Sequence, residues 1–418
     1  MKNKLAINGG GKIVKYEAQA KFNWPIVDKK IEQAVIRQLY KTISIYNKSD
    51  IFEKFENLFC KYQKRKYALL FNSGTSAIHA MFVALNLKPG DEVICPVYTF
   101  YATVTPLLFT GAIPIFCDID ENGNINPYEI EKKITKKTKA VVITHMWGIP
   151  CQMDKILEIC RKNRLVLLED CSHAHGAEYK GKKLGSFGDL SAWSLQGQKI
   201  LTGGEGGVLT TNNKEYYDRA LLLGHYNKRC KQEISPDSPL YKFAVTGMGL
   251  KYRAHPLAVA IANEYLSRLD KWLAIKRIFA QRIIIRLKNY AAITLPQINN
   301  QKIKPSWYAF VFQYHENKTG VSINKFYQAL KQEGLVEVDQ PGSTCPLNLL
   351  PLFQKPAELF PIYRQYKFSY KKGEFPKAES FYNNAVKIPV WARVQDWPAM
   401  KLYIDGIEKV LININELK

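Results

Sequence analysis

The chain has 418 residues, 46% of them hydrophobic and 23% charged, a balance that excludes a disordered or fibrous protein and provides for a sizeable packed core. At this length one large domain plus a smaller one is expected. The formal net charge of +23 would attract polyanions at long range, but no basic module interleaved with aromatic residues is present, so the lysines read as solvated faces and no nucleic-acid partner is expected.

The N-terminal stretch MKNKLAINGGGKIV is basic but has no apolar core of a signal peptide, which predicts a cytoplasmic protein. Eight cysteines are scattered, with no CxxC pair and no Cys/His cluster at ligand spacing. That pattern predicts free thiols in a reducing compartment, and no metal site.

The first thirty residues read as an arm. Then short β-branched runs alternate with helical patterns: strands YALLF (67–71), EVICP (92–96), IPIFCDI (113–119), AVVITH (140–145), LVLLED (165–170), LSAWSL (190–195) and GGVLTT (206–211). Amphipathic helices lie between them, among them 76–87 and 153–163. This alternation predicts an α/β domain whose mostly parallel seven-stranded sheet is covered on both faces. Residues 93–116 carry no charge and are long enough to span a bilayer, but Pro96, Pro106, Gly111 and Pro114 divide them. A strand, a short buried helix over 99–110 and a second strand are expected there instead, with no membrane insertion.

A long helical stretch starts near residue 255 and runs to about 290. Beyond it come a strand-like run (307–314), a helix around 324–333 and Pro-punctuated loops. The expected division is an arm and large domain over 1–269 and a small α+β domain over 270–418.

Four segments carry chemistry. In FNSGTSAIHAM (71–81) a strand runs through a small-residue turn into a helix, where Gly74 permits close backbone approach and the amides of Thr75 and Ser76 point at an anion such as phosphate. An ordinary capped turn has the same residues. Phe100 follows the second strand, where an aromatic ring either stacks on a flat ligand or packs in the core. LVLLEDCSHAHGA (165–177) ends an apolar strand with Glu169 and Asp170. A carboxylate buried there needs a cationic partner, and a protonated pyridine nitrogen is one, a helix cap being the alternative role. WSLQGQKILTGGEGG (193–207) sets Lys199 among small uncharged residues, which lowers an amine's pKa and lets it form an imine, with Ser194 as a further phosphate contact.

The ordered set SGTSAIHA, TFYATV, THMWG, EDCSHAHGA, SLQGQK, GGEGG and GLKYR resembles the DegT/DnrJ/EryC1/StrS family of sugar aminotransferases, which are fold-type I enzymes dependent on pyridoxal phosphate (PLP). The AINGG start and Gln196 look most like the branch acting on inosose-type cyclitol ketones. The resemblance implies that Lys199 holds PLP as a Schiff base, that Asp170 pairs with the ring nitrogen, and that His173 lies near the ring hydroxyl. It also implies phosphate contacts from Gly74, Thr75, Ser76 and Ser194, stacking by Phe100, and a substrate pocket bordered by Trp147 and Gln196. At GLKYR the family usually has Asn where this chain has Lys251, a position that reaches the cofactor of the neighbouring subunit in a homodimer with shared active sites.

The implied reaction moves an amino group from glutamate or glutamine, through the PLP and PMP forms, to a nucleotide-linked keto sugar or a cyclitol ketone. Amino-sugar, cell-surface polysaccharide or aminocyclitol biosynthesis is the expected setting. Two rivals are a PLP-fold dehydratase, which the lysine at 199 opposes, and a regulator that binds PLP without turnover.

Overall fold

Seven apolar runs pair into one sheet: β1 (Tyr67–Phe71), β2 (Glu92–Pro96), β3 (Ile113–Cys117), β4 (Thr138–Thr144), β5 (Val166–Asp170), β6 (Leu190–Ser194) and β7 (Gly207–Thr211). The computed structural model describes residues 4–299, 301–366 and 368–418. Residues 1–3 of the arm therefore lie outside the described residues. The strand order is β1-β7-β6-β5-β4-β2-β3. Neighbours are parallel except β7, which is antiparallel to both β1 and β6.

Side chains along each strand alternate between two cores, as the pleat requires. Leu69, Phe71, Val93, Leu168 and Leu209 join one buried cluster, and Leu70, Ile94, Leu167, Trp193 and Val208 join the other. Helices cover both faces, as they must when both are apolar. We label the helices α1 (Lys29–Lys41), α2 (Gly74–Ala84), α3 (Met153–Asn163), α4 (Lys214–Gly224), α5 (Pro256–Leu266) and α6 (Leu269–Leu287). Ala77 and Met81 of α2 and Leu221 of α4 fill the first cluster, and Ile156 of α3 and Val259 of α5 fill the second.

The long helical stretch after residue 255 is two helices. The Ser267 hydroxyl donates to Glu264 O at 2.7 Å, a back-bond that competes with the helix ladder where α5 ends. Residues 99–110 also differ from the expected buried helix. They form a short strand, Tyr98–Phe100, paired with Thr344–Pro346, and 3-10 turns at Tyr101–Thr103 and Thr105–Thr110. Pro106 lacks an amide, and the hydroxyls of Thr99 and Thr103 bond each other at 2.8 Å instead of facing solvent.

A second sheet joins β8 (Ile293–Thr294), β9 (Phe310–Tyr314) and β10 (Ala385–Ile388), all antiparallel. It packs with α7 (Ile323–Gln332) and α8 (Trp397–Ile412) around a third cluster that includes Phe310, Phe326, Val386 and Ile407. Leu5 and Val14 of the arm belong to this third cluster, and the buried Glu333 carboxylate accepts from Ala6 N at 2.8 Å and Ile13 N at 3.1 Å. The arm thus crosses to the C-terminal body. In the other direction, Phe353, Tyr363 and Phe375 pack into the first cluster, beside the large sheet.

All eight cysteines are free. Among the described residues no helix is long and apolar enough to cross a membrane.

Candidate active site

Because β1, β2, β4, β5 and β6 run the same way, their C-terminal ends open on one edge of the sheet, the place where ligands collect in such folds. A cavity of about 430 Å³ lies there, within the usual size for a cofactor or small-molecule site. Each strand end delivers residues to it: Gly74 and Thr75 after β1, Thr99, Phe100 and Thr103 after β2, Thr144 and Trp147 at β4, Asp170 and His173 at β5, and Ser194, Gln196 and Lys199 after β6.

Asp170 is 3% exposed. Its Oδ2 accepts from Thr103 Oγ1 at 2.6 Å and its Oδ1 from Ser172 N at 3.0 Å. Thr103 is linked in turn to Thr99 and Thr144, so a chain of hydroxyls fixes the carboxylate. Its neighbour Glu169 faces the opposite side of the sheet, as alternation requires. There it accepts from the amides of Gly185 (2.8 Å), Phe187 (2.9 Å) and Gly188 (2.5 Å), and from His145 Nε2 at 3.2 Å. Burial pushes the Glu169 carboxyl up, but His145, the Gly188 amide and the nearby Arg65 guanidinium outweigh it and hold the carboxyl down at about 2. His145 Nδ1 accepts from Cys151 N, which places the imidazole proton on Nε2. His145, Glu169 and Cys171 come within metal-binding reach of one another, but the histidine and the carboxylate are already engaged, and the group reads as a hydrogen-bonded support under β5.

Lys199 Nζ lies 4.4 Å from the centroid of the Tyr308 ring. Lys199 lines the cavity, and burial lowers its ammonium to about 8 against the opposing pull of Asp170. Trp24 of the arm donates from Nε1 to the Lys199 carbonyl at 3.1 Å. The His173 ring stacks on Tyr308 at 4.1 Å and 12°, and on Trp147 at 5.5 Å and 24°. Burial first, then Lys199, drives the His173 pKa well down, so the ring is neutral, and its Nδ1 is buried without a partner. A buried polar nitrogen without a partner is uncommon, and His173 is among the residues lining the cavity.

Ser76 and Lys251 do not line this cavity. The Ser76 amide donates to Ser73 Oγ at 3.0 Å and its hydroxyl to Asn72 Oδ1 at 2.7 Å, so Ser73 caps α2 and uses the amide that the turn was expected to offer a phosphate. Lys251 sits with Tyr46, Tyr226 and Arg253 in a separate shallow recess. Gly74 is needed for a further reason: a Cβ there would lie 2.6 Å from Ser194 Cβ.

Residues 26–401 match the model of the DegT/DnrJ/EryC1/StrS aminotransferase family. The chain belongs to this family. It is 36% identical over 247 residues to GDP-perosamine synthase of Escherichia coli O157:H7, covering 59% of this chain and 65% of that protein. It is 32% identical over 378 residues to the spore coat polysaccharide biosynthesis protein SpsC of Bacillus subtilis, covering 90% and 93%. A putative L-glutamine:3-amino-2,3-dideoxy-scyllo-inosose aminotransferase of Micromonospora echinospora is 28% identical over 384 residues, covering 88% and 87%. The solved aminotransferase of Psychrobacter cryohalolentis superposes with a TM-score of 0.83 at 26% identity, over 94% of this chain and 99% of that one.

The fold is therefore that of the DegT/DnrJ/EryC1/StrS aminotransferases, and the chain is an amino-sugar aminotransferase by family. Thr103, Thr144 and Ser172, which orient Asp170 directly or through one hydroxyl, had no signal of their own among β-branched and turn residues. Tyr308 follows Lys199 by more than a hundred positions, and no local pattern links them.

Proposed function

We propose that this aminotransferase uses PLP bound in the strand-end cavity to move an amino group from glutamate or glutamine to a keto sugar or a cyclitol ketone. The observation that carries the reading is the joint placement of Lys199 and Asp170 on one cavity, the lysine with a lowered pKa and the carboxylate held by hydroxyls. When bound, PLP supplies an aldehyde that condenses with amines and a pyridine ring that takes up electrons.

The residues fit that group. Asp170 would accept from the pyridine nitrogen and keep it protonated. His173, which lines the same cavity, would lie near the ring hydroxyl. Gly74, Thr75 and Ser194, which line the cavity at the α2 N-terminus, would bind the phosphate, and Phe100 would stack on the ring. Ser76 acts in this reading by completing the Ser73 cap. Lys199 would hold the cofactor covalently; once displaced by the donor amine, its Nζ would carry the proton from the donor α-carbon to the cofactor's aldehyde carbon, and would run the same transfer in reverse for the acceptor. A pKa of about 8 keeps a useful fraction of that amine neutral near pH 7. Gln196 and Trp147 border the space left for the acceptor.

We place the enzyme in the cytoplasm, divide it at 269/270 and assign it a homodimer. Ile36, Leu39, Tyr40 and Ile43 in and just after α1, with Val245, Met248 and Leu250, leave large apolar side chains exposed, which a second copy would cover. Lys251 lies in this same stretch and is the residue offered to the neighbouring site. The acceptor class is tested by loading the protein with PMP and adding GDP- and dTDP-linked keto sugars and inososes. Return of the PLP spectrum with one class names it; no return with any ketone sinks the reading.

A further inference from the structure

The cavity wall facing Lys199 comes from the C-terminal part of the chain and includes Tyr308, Thr344 and Lys387. Lys387 lies on β10, and its backbone exchanges hydrogen bonds with Asp339, Lys387 N to Asp339 O at 2.9 Å and Asp339 N to Lys387 O at 3.2 Å. Its Nζ lies 2.9 Å from Asp339 Oδ1. Among the described residues lining the cavity, the cations are Lys199 and Lys387, and the anions are Asp170 and Glu205. Lys199 and Asp170 are committed to the cofactor in the reading above.

An α-amino acid donor must bring a carboxylate into this space, and burying that charge without a cation is costly. We propose that Lys387 is the donor-carboxylate anchor, binding the carboxylate of the incoming amino acid and of the keto acid that leaves. The inference rests on the aminotransferase reading and adds a residue to it. Two features suit Lys387 to the task. Its ion pair with Asp339 is partly solvated, the side chains being 28% and 53% exposed, and such pairs contribute little, so exchanging Asp339 for a donor carboxylate is nearly free. A lysine is also a point charge on a flexible stem, without the fixed fork of arginine. When a ketone without a carboxylate occupies the site, Lys387 returns to Asp339, and no unpaired charge faces the second substrate. One cavity thereby accepts in turn a donor that carries a carboxylate and a ketone that carries none.

The test uses the cofactor-loaded enzyme with Lys387→Met, Lys387→Arg and Asp339→Asn variants. Glutarate, which has carboxylates but no amine, and neutral glutaramide are titrated by calorimetry, and the donor half-reaction is followed by stopped flow. Lys387→Met is expected to weaken glutarate and raise the half-saturating donor concentration by about tenfold or more, with the limiting rate little changed, as loss of one charge-assisted bond predicts. Glutaramide binding stays the same, and Lys387→Arg restores most of the glutarate affinity. Asp339→Asn should tighten glutarate. Unchanged glutarate and donor binding in Lys387→Met overturns the assignment, as does a loss confined to the keto acceptor or to inorganic phosphate. If the unaltered enzyme forms no keto acid from glutamate, glutamine or any other amino acid, the aminotransferase reading fails instead, a result separable from a wild-type turnover that Lys387→Met matches.

Discussion

The indole Nε1 of Trp24 donates to the main-chain carbonyl of Lys199 at 3.1 Å, joining the N-terminal arm to the segment that carries this lysine. The Trp24 ring is itself fixed, with Tyr265 at 5.7 Å and Trp272 at 5.3 Å, both edge-on. The arm thereby acts as a brace on the backbone that carries the amine.

Replacing Trp24 with Phe keeps most of the ring packing and removes the donor. Leaving the Lys199 carbonyl without its partner should cost about 1 to 3 kcal/mol, read as a lower denaturation midpoint. The single-turnover rate of the donor half-reaction should fall several-fold with the donor KM nearly unchanged, since Trp24 touches no substrate.

Gly74→Ala should be more damaging than an alanine in a helix ordinarily is. Its Cβ would lie 2.6 Å from Ser194 Cβ and 2.8 Å from Ser194 Cα, and β6 cannot retreat because β5 and β7 flank it. A destabilisation of about 2 kcal/mol is expected for such overpacking, together with at least a tenfold weaker PLP affinity, measured by fluorescence titration of the apoprotein.

Lys199 sets a pH dependence. Burial lowers its pKa to about 8, so the neutral amine gains population as pH rises through that value. The rate at which apoprotein combines with PLP should therefore rise with pH to about 8 and level off above it. A profile still climbing toward the ordinary lysine value of 10.5 would show that the amine is not desolvated.

Glu169 supplies an acid-side counterpart. Its carboxyl is held at about 2 in the fold, against 4.5 for an ordinary glutamate. A lowered folded-state pKa contributes stability that is complete above 4.5 and is lost as pH falls from there toward 2. Glu169→Gln, which sets an amide against backbone donors, should be strongly destabilised at neutral pH. The gap between variant and wild type should narrow on acidification, as urea midpoints at several pH values would show.

Much of this was legible in the residues. The seven strands stand where the apolar β-branched runs put them, because each run is bounded by turn residues and fits a sheet buried on both faces. Asp170, Lys199, Gly74 and Trp147 share a cavity because parallel strands bring their C-terminal ends to one edge. What the sequence hid is what depends on the third dimension. Ser73 could not be distinguished from Ser76 as the residue that completes the α2 cap. The hydroxyls of Thr103 and Thr144 look like ordinary β-branched positions until Asp170 is placed beside them. Tyr308 and Lys387 enter from the C-terminal part of the chain, which no local period connects to Lys199. Residues 99–110 read as a helix because the apolar run gave no hint that 98–100 would pair with 344–346.

The central claim is that Lys199, among 60 lysines and arginines, is the residue that carries the cofactor. Borohydride reduction of the PLP-loaded protein followed by mass mapping of its peptides tests this directly. The expected result is one pyridoxyl adduct, on Lys199, with loss of the visible absorbance band, and no adduct in Lys199→Ala. An adduct on Lys251, Lys387 or a scatter of surface lysines, or an unmodified Lys199 in protein that has bound PLP, would contradict the account.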